Sequence, residues 1–502
     1  MRRESLERIT SDHLNVFISN DTGELSIIAE SKLNPKNRAI HRHFFEKNQD
    51  GHFQKTKLQP SNIDQVFKNV KEFGISAGLY LNSAPKKQCP ERSMITDDHH
   101  ATVRHNKTQS ETNFTSTGEK LHHHWPIFQK YRDTGFASII RATMTLHQVC
   151  ASKCSFCSTI NRSRKDAISL SEAKRFVTDL YDHQASFNKK NFPSYNRLYS
   201  EVSGSDIRLK GLILSGGGQP NLWPHFSEFV EWLSQKDIEL GLITNGFPKH
   251  VDERIYRHFK WIRLSITPED ASPFYPNQRF DLQRIPRSIL SNEHQTFGLS
   301  YVYGPWTDDD IMMRLNIAAS AWNASYVRVL TDCNLDRNAQ IKAHQDLGER
   351  LFRLGFVDKR GNPLAKIFHQ LKFHTNEREI GDVWADKICG LQLYNTFWDT
   401  TGHETNKKSF CFPCDSVTVL EEGVGGASAE RRFNSDKWGT VDNTQVRQLY
   451  ETRAKSFFDP NEHCKGCLFV KNNKIVKRLS KASDKDYERL NLHPSLDHVN
   501  FP

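Results

Sequence analysis

The chain lacks any long apolar segment. No run of 18 consecutive apolar residues occurs in its 502 residues, and a helix needs about that many to cross a bilayer. The N-terminus, MRRESLERIT, carries basic residues with no apolar stretch behind them, unlike a secretory signal. We therefore expect a cytoplasmic protein that does not enter a membrane.

Cysteine is scarce, with 10 in 502 residues, yet three of them fall within eight residues of the segment VCASKCSFCSTINR. Cys150, Cys154 and Cys157 follow the pattern C-x3-C-x2-C. In a reducing compartment, clustered cysteines hold metal more often than they form disulfides. The segment therefore predicts a metal centre.

The chain also lacks an acidic surplus. Its formal net charge is +10 and its pI is about 9.0, a balance that favours polyanionic partners such as nucleotides or nucleic acid. The surplus is spread over both ends of the chain, which lowers its value as a nucleic-acid signal. The length predicts two or three domains.

Apolar strands alternate with helices from about residue 136 onward. Six segments read as buried strands, and SLSEAKRFVTDLYDH between the first two reads as a helix with a Ser169–Glu172 capping box. This alternation predicts an α/β fold with a parallel sheet buried on both faces. Chemistry in such sheets sits at the carboxyl ends of the strands. The strand segments are FASIIRATMTL, LKGLILSGGG, LGLITNG, WIRLSIT, FGLSYVYG and SYVRVL.

Residues 1–133 are polar and irregular by comparison. LNVFISN and ELSIIAE alternate like a hairpin around DTG, and NIDQVFKNVKEFG reads as one helix. We expect a basic N-terminal extension, a core and a cysteine-bearing C-terminal region. The predicted boundaries are 1–133 for the extension, 134–335 for the core, 336–380 for connecting helices, 381–470 for an auxiliary domain and 471–502 for a basic tail.

Three thiolates can hold a [4Fe–4S] cluster by three of its irons, which leaves the fourth iron open to a ligand from outside the protein. Zinc is the alternative, but a structural zinc site wants four ligands, usually as two close pairs. No fourth cysteine or histidine follows directly, and His147 is the one nearby candidate ahead of the cluster. The spacing favours iron–sulfur.

C-x3-C-x2-C after the first strand of a βα barrel resembles the signature of the radical S-adenosylmethionine (SAM) superfamily. The resemblance covers about residues 136–335 and implies a partial (β/α)6 barrel. It also implies that the cluster binds SAM and cleaves it reductively to methionine and a 5′-deoxyadenosyl radical, which abstracts hydrogen from substrate. No catalytic acid or base is assigned.

Other segments resemble the family's motifs in the same order. LILSGGGQP resembles the glycine motif after the second strand, with Gln219 where many members have Glu. LITNG and RLSIT resemble the next two strand ends, and VRVL would lie near the adenine. The resemblance implies these cofactor-binding residues: Phe156, Gly216, Gly217, Gly218, Thr244, Asn245, Ser265 and Thr267.

Five more cysteines lie in the C-terminal region, two pairs of them spaced C-x2-C, which suits zinc as well as iron–sulfur. Behind such a barrel the region resembles SPASM/Twitch extensions and implies one Twitch-like auxiliary [4Fe–4S] cluster. The middle ligands stay open because EEGVGGASAERR lacks a cysteine that the family often has. The candidates are Cys389, Cys411, Cys414, Cys464 and Cys467.

The resemblance supports hydrogen abstraction better than any one substrate. A nucleotide or nucleic-acid base is ranked first, from the basic balance, with isomerisation of hypermodified thymidine in viral DNA as an example. A peptide crosslinked or oxidised by a maturase is second, because residues 1–133 do not read as the three-strand, three-helix module that grips a leader peptide. Small-molecule oxidation is third.

A non-catalytic iron–sulfur or zinc nucleic-acid-binding protein is the alternative from another class. The enzyme interpretation also implies an electron donor such as flavodoxin or ferredoxin. Three side chains near strand ends are candidates to contact substrate: Tyr301, Tyr303 and Arg328. The alternative is that the tyrosines pack in the barrel and the arginine forms a surface ion pair.

Overall fold

The protein is described from a computed structural model. Before residue 118 the structure describes five short strands, and from 118 to 502 it describes most of the chain. The longer gaps in that part are 158–164, 268–284, 359–363, 371–389, 400–409, 413–442, 455–469 and 493–496.

The N-terminal strands form two small antiparallel sheets. β1 (Glu7–Thr10), β2 (Leu14–Ser19) and β3 (Ser26–Ser31) make a three-stranded sheet in chain order. The predicted hairpin is its β2–β3 pair, with Leu14 opposite Ser31. β4 (Phe45–Lys47) pairs with β5 (Phe53–Lys55). The helix expected over NIDQVFKNVKEFG lies outside the described residues.

A nine-stranded sheet forms the centre of the molecule. Its order is β12-β11-β10-β9-β8-β7-β6-β13-β14, and every pairing is parallel except β13 with β14. All six strand segments read from the sequence are present as β6 to β11. The strands are β6 (Arg141–Met144), β7 (Gly211–Leu214), β8 (Glu239–Thr244), β9 (Phe259–Ile266), β10 (Thr296–Tyr303), β11 (Tyr326–Thr331), β12 (Ile367–Gln370), β13 (Asn395–Asp399) and β14 (Phe410–Phe412).

Three strands of the central sheet were not anticipated from the sequence. β12 lies within the stretch expected to hold connecting helices, and β13 returns from far along the chain to pair with β6. β12 therefore extends the row from β6 to β12 to seven parallel strands, one more than a (β/α)6 barrel requires. β13 pairs with β6 over four positions, from Asn395 opposite Arg141 to Trp398 opposite Met144. Such long-range pairing leaves no signal in local sequence.

Helices cover the outer face of this sheet. The expected capping box is present, since Ser169 accepts a hydrogen bond from Glu172 N while the Glu172 carboxylate accepts from Ser169 N. The helices are α1 (Trp125–Thr134), α2 (Leu170–Thr178), α3 (Gln184–Asn191), α4 (Pro193–Ser203), α5 (Phe226–Ser234), α6 (Arg287–Leu290), α7 (Asp309–Ala321), α8 (Arg337–Arg353), α9 (Asn443–Glu451), α10 (Val470–Lys481) and α11 (Asp484–Glu488).

The two faces of the sheet differ in chemistry. Alternate residues of β6 to β11, such as Leu214, Leu242 and Leu299, join the helices in the main hydrophobic core. Residues of the opposite parity include Ile213 and Trp261, which form a separate small cluster with Phe501. We call this second side the inner face, and it also carries the polar rows described below.

The C-terminal segment fills one end of the inner face. Arg141 donates a hydrogen bond to the Pro502 carbonyl at 2.7 Å, and Phe501 packs against Trp261 with ring centroids 5.5 Å apart. A β-carbon on Gly211 would lie 2.3 Å from the Asn500 carbonyl oxygen, so only glycine admits this approach. Residues 498–502 therefore close the end opposite the carboxyl edge.

A second core joins the segment around α1 to the C-terminal helices. Leu121, Phe128 and Val476 pack together in one cluster with residues of α4 and α11. His124 is fully buried there, with Nδ1 2.8 Å from the Tyr199 hydroxyl and Nε2 3.0 Å from the Val499 carbonyl. The expected basic tail contains α10 and α11 and packs into this core through Val476, Leu479 and Tyr487. Within the described residues we find no helix with both the length and the apolarity to span a membrane.

Candidate functional site

The three clustered cysteines lie on the loop that leaves the carboxyl end of β6. Cys150, Cys154 and Cys157 are each partly exposed and free of disulfides. Cys157 N donates to the Cys154 carbonyl at 3.1 Å, which closes a turn between the last two. The structure therefore brings the predicted ligands to the edge where parallel sheets hold their chemistry. We call residues 149–157 the cysteine loop.

The root of this loop is joined to the glycine segment after β7. Gly218 N donates to the His147 carbonyl at 3.1 Å, and Gln219 N donates to the Val149 carbonyl at 2.7 Å. The His147 ring also bonds to this segment, with Nε2 2.7 Å from the Gln219 carbonyl. Because that nitrogen must donate to the carbonyl, the bond fixes the ring orientation and the tautomer of His147. Burial also lowers the pKa of His147.

The three glycines allow this close approach. A β-carbon on Gly216 would lie 2.5 Å from Thr145 Oγ1, one on Gly217 2.1 Å from Gln148 Oε1, and one on Gly218 2.1 Å from the Val149 carbonyl oxygen. Gly216 and Gly217 also have φ of +85° and +48°, which glycine adopts without steric cost. The glycine segment thus supports the cysteine loop directly, a role that the sequence reading did not foresee.

Asn245 connects the cysteine loop to the strand end after β8. Its Nδ2 donates to Ser152 Oγ at 2.7 Å and approaches Cys150 Sγ at 3.5 Å, while Ser152 N lies 3.4 Å from the same sulfur. One of these donors is the Asn245 amide and the other is a backbone N–H. Asn245 therefore contacts the cysteine that opens the motif.

Three acceptor atoms beside the loop are buried with no hydrogen-bond partner within the part of the chain that the structure describes. They belong to the side chains of Thr145, Gln219 and Asn245. Thr145 is fully buried and Gln219 is 4% exposed, and an unmet buried acceptor costs about 1–3 kcal/mol. These oxygens would suit a donor such as an ammonium group.

The remaining predicted cofactor residues lie on different faces of the sheet. The Thr244 hydroxyl bonds Asn221 Oδ1 at 3.0 Å and the Gly246 carbonyl at 2.8 Å, so it organises the turn after β8 on the side away from the inner face. Ser265 is partly exposed near the end of β9, and Thr267 follows that strand as a buried residue. Ser265 has the parity of the inner face, in common with Trp261.

An aromatic contact connects the cysteine loop to the segment that follows β10. The Phe156 ring lies 5.5 Å from the Trp306 ring, which follows β10. Trp306 is held in turn, since its indole N–H donates to the Val302 carbonyl at 3.1 Å and its ring lies where a β-carbon of Gly304 would be. Nothing in the local pattern marked Trp306, because its role depends on a partner 150 residues away.

The tyrosines at the end of β10 belong to the packing. Tyr301 OH lies 3.1 Å from Thr307 Oγ1, and Tyr303 OH donates to Asp346 on α8. Both have the parity of the helix-covered face and join the main core. Arg328 has the opposite parity and lies partly exposed on the inner face. The tyrosines thus have the packing role, while Arg328 faces the site.

Three thiols on one loop are a donor set that an iron–sulfur cluster uses. Among the described residues, no three His, Cys, Asp or Glu side chains gather closely enough to hold one metal ion. A cluster of four irons is wider than one ion, so its thiolate ligands stand further apart. Three partly exposed thiols on one loop, with donors aimed at the first sulfur, suit such a cluster.

The auxiliary ligands cannot be placed in the same way. Cys389, Cys414, Cys464 and Cys467 lie outside the described residues. Cys411 lies in β14 with its backbone opposite Trp398, and Trp398 lies opposite Met144 at the end of β6. The backbone of Cys411 is therefore two strands from the start of the cysteine loop, at the same edge of the sheet.

Solved structures of similar arrangement include Streptococcus suis SuiB bound to S-adenosylmethionine, with 11% identity, a TM-score of 0.36, and coverage of 92% of this chain and 96% of that one. An archaeal TYW1 matches with 9% identity, a TM-score of 0.25, and coverage of 38% and 66%. BtrN in complex with AdoMet and 2-DOIA matches with 11% identity, a TM-score of 0.23, and coverage of 62% and 87%.

These neighbours are radical SAM enzymes. No family model matches the chain, and no curated protein matches it in sequence. At such identities and TM-scores neither substrate nor residue roles transfer, so both must come from the chain's own residues.

Proposed function

We propose that this chain is a radical SAM enzyme in which Cys150, Cys154 and Cys157 hold a [4Fe–4S] cluster at the carboxyl edge of the sheet. The observation that carries the proposal is the construction of the cysteine loop. The loop leaves the first parallel strand of the core, its root is hydrogen-bonded to a glycine segment that admits no side chain, and Asn245 donates toward Cys150.

When bound, such a cluster supplies the electron that cleaves SAM to methionine and a 5′-deoxyadenosyl radical, which abstracts hydrogen from substrate. The chain's own residues would bind SAM and orient it. The buried acceptors on Thr145 and Gln219 suit the ammonium group of SAM. Phe156, fixed against Trp306, offers an apolar surface beside the last cysteine. Ser265 has a hydroxyl on the inner face that would suit a hydrogen bond to the ribose of SAM.

For the substrate we propose a nucleotide or nucleic-acid base, modified or isomerised at a carbon–hydrogen bond. The net charge of +10 supports a polyanionic partner, and the inner face carries Arg263 and Arg328 in addition to its small apolar cluster. A base in duplex DNA would have to be flipped out of the stack to reach the loop. Hypermodified thymidine in viral DNA is one substrate of this kind.

A peptide is the second candidate, and one observation favours it. Residues 7–31 form a three-stranded antiparallel sheet, whereas the sequence reading had found no module of that kind in the N-terminal region. Three strands are one part of the three-strand, three-helix module that grips a leader peptide. An extended peptide can also add to the edge of such a sheet.

We further propose one auxiliary [4Fe–4S] cluster held by Cys464 and Cys467, completed by Cys389 and one of Cys411 and Cys414. The backbone position of Cys411 at the carboxyl edge supports a location beside the main site. An external electron donor such as flavodoxin or ferredoxin would reduce the clusters.

The test is anaerobic purification of the full chain, reconstitution, and measurement of iron and sulfide together with 5′-deoxyadenosine after reduction with SAM. Two clusters give about eight irons per chain and one gives about four. Cys154→Ala should lose the main cluster and the SAM cleavage, whereas Cys333→Ala, a cysteine outside both motifs, should retain both.

The outcomes separate the candidates. About four irons in the wild type, with a zinc, would keep the enzyme and remove the auxiliary cluster. No iron and no SAM cleavage would reassign the protein to nucleic-acid binding. The degree to which added DNA, nucleotides or peptides stimulate SAM cleavage ranks the substrate classes.

A further inference from the structure

Two arginines flank β10 on the inner face. Arg263 on β9 lies opposite Gly298, which lies opposite Tyr326 on β11. One register step nearer the carboxyl edge, Ser265 lies opposite Ser300, which lies opposite Arg328. Because paired residues in parallel strands point to the same face, Arg263 and Arg328 project into the same space on either side of β10.

The lower arginine is held in a fixed orientation. A β-carbon on Gly298 would lie 2.1 Å from the Tyr326 ring, so the ring lies across the bare strand. The Tyr326 hydroxyl then accepts a hydrogen bond from Arg263 Nε at 3.0 Å. The Arg263 guanidinium also lies over the Trp261 ring, 5.4 Å from its centre. These contacts restrain a long side chain that is 8% exposed.

The upper arginine shares its row with two hydroxyls. Ser265 and Ser300 lie beside Arg328 in the register and are available as further donors. Burial lowers the pKa of Arg328, and the charge of Arg263 lowers it further while Tyr326 raises it. Two guanidinium groups close enough to repel one another make an anion between them favourable.

The row leads back to the cysteine loop. The β8–β9 pairing ends at Thr244 and Leu264, and the next residues of these strands are Asn245 and Ser265. Asn245 contacts Cys150 and Ser152. From β8 to β11 is three strand spacings, or about 14 Å of backbone. Arg328 on β11 therefore lies across the mouth of the site from the predicted cluster, where a substrate rather than the cluster would meet it. Arg263 on β9 lies closer to β8 and one register step further from the carboxyl edge.

We propose that Arg328 and Arg263, with the hydroxyl of Ser300 between them, bind the anionic group of the substrate, a phosphate or a carboxylate. This inference rests on the proposed function and extends it by assigning the residues that anchor the substrate while its reactive carbon faces the cysteine loop.

The experiment measures binding to the reconstituted full chain by equilibrium dialysis, with probes in matched pairs. The phosphate pair is thymidine 5′-monophosphate and thymidine, and the carboxylate pair is N-acetyltyrosine and its amide. In the wild type, the anionic member of one pair should bind roughly 10- to 100-fold more tightly than its neutral partner, as charge-assisted hydrogen bonds imply. The pair that shows the preference identifies the anion.

Arg328→Gln should abolish this preference, and Arg328→Lys should retain part of it because the charge remains while the planar fork is lost. Arg254→Gln is the matched control, since Arg254 is exposed and paired with Asp252 far from the inner face. Circular dichroism confirms that each variant is folded. Arg263→Lys provides a second test of the pair.

Three outcomes would overturn the inference. The wild type could bind both members of each pair equally, or Arg328→Gln could keep the preference for the anionic probe. Alternatively, Arg328→Gln could weaken the binding of SAM as much as it weakens the binding of the anionic probe, which would assign the anion to the SAM carboxylate. Failure of the proposed function is read separately, from absent iron and absent SAM cleavage in the wild type.

Discussion

Asn245 is the residue whose side chain reaches the cysteine that opens the motif. The sequence marked it as a polar group near SAM, and the structure directs its Nδ2 to the cysteine loop itself. Hydrogen bonds to the sulfurs of an iron–sulfur cluster raise its reduction potential because they stabilise the more negative, reduced state. We therefore expect Asn245 to tune the potential of the proposed cluster.

We predict that Asn245→Ala lowers the midpoint potential of the main cluster by about 60 mV, equivalent to about 1.4 kcal/mol for one electron. A redox titration followed by electron paramagnetic resonance measures it. Asn191→Ala, which alters an exposed asparagine on α3, should leave the potential unchanged. An unchanged potential in Asn245→Ala would mean that its amide does not act on the cluster.

The elements at the carboxyl edge act as a set of loops that support one another. The glycine segment after β7 holds the root of the cysteine loop, and Trp306 after β10 contacts Phe156 near its end. The cysteine loop is therefore anchored at both ends, to segments that follow two strands, β7 and β10, three positions apart in the sheet. Because these supports are backbone contacts and ring packing, local changes in them should move the cysteines.

We predict that Gly218→Ala destabilises the protein by about 1–3 kcal/mol, as overpacking does, and lowers the iron retained after reconstitution. The new methyl would collide with the Val149 carbonyl, which cannot rotate aside as a side chain could. Gly246→Ala is the control, because its β-carbon would meet nothing closer than 3.9 Å. Thermal unfolding and iron analysis measure both effects, and equal behaviour of the two variants would contradict this account.

At the scale of the whole molecule, the C-terminal segment closes the end of the inner face opposite the cysteine loop. His498 lies there, buried, with Nε2 2.7 Å from Thr296 Oγ1. Burial lowers the pKa of His498 to about 3, helped by the charges of Lys120 and Lys260, and burial lowers that of His124 to about 4.

This burial makes stability depend on pH. Between pH 6.5 and the lowered values, the unfolded chain binds protons on these histidines and the folded chain does not, so stability falls as the pH falls. Each histidine contributes a slope of about 1.4 kcal/mol per pH unit in that range.

We predict that His498→Asn removes one such slope from urea unfolding curves measured between pH 6 and pH 4.5. Asparagine tolerates the positive φ of 54° at this position and keeps a polar group for Thr296. His258→Asn, which replaces an exposed histidine, should keep the wild-type slope. If the two variants have the same slope, the buried histidine is not the source of the pH dependence.

The sequence by itself determined the features that depend on local order. The period of apolar residues located β6 to β11, the Ser169–Glu172 spacing located the start of α2, and the spacing of three cysteines located the candidate site. Each of these signals lies within a few residues of chain, where backbone geometry relates spacing directly to position.

The tertiary structure alone decided the features that depend on register and distant contacts. Tyr301 and Arg328 both lie near strand ends, and only the pairing shows that one faces helices and the other the inner face. The pairing of β13 with β6, the closure by residues 498–502 and the contact of Phe156 with Trp306 each join segments more than 100 residues apart. Their physical basis is packing, which no local pattern records.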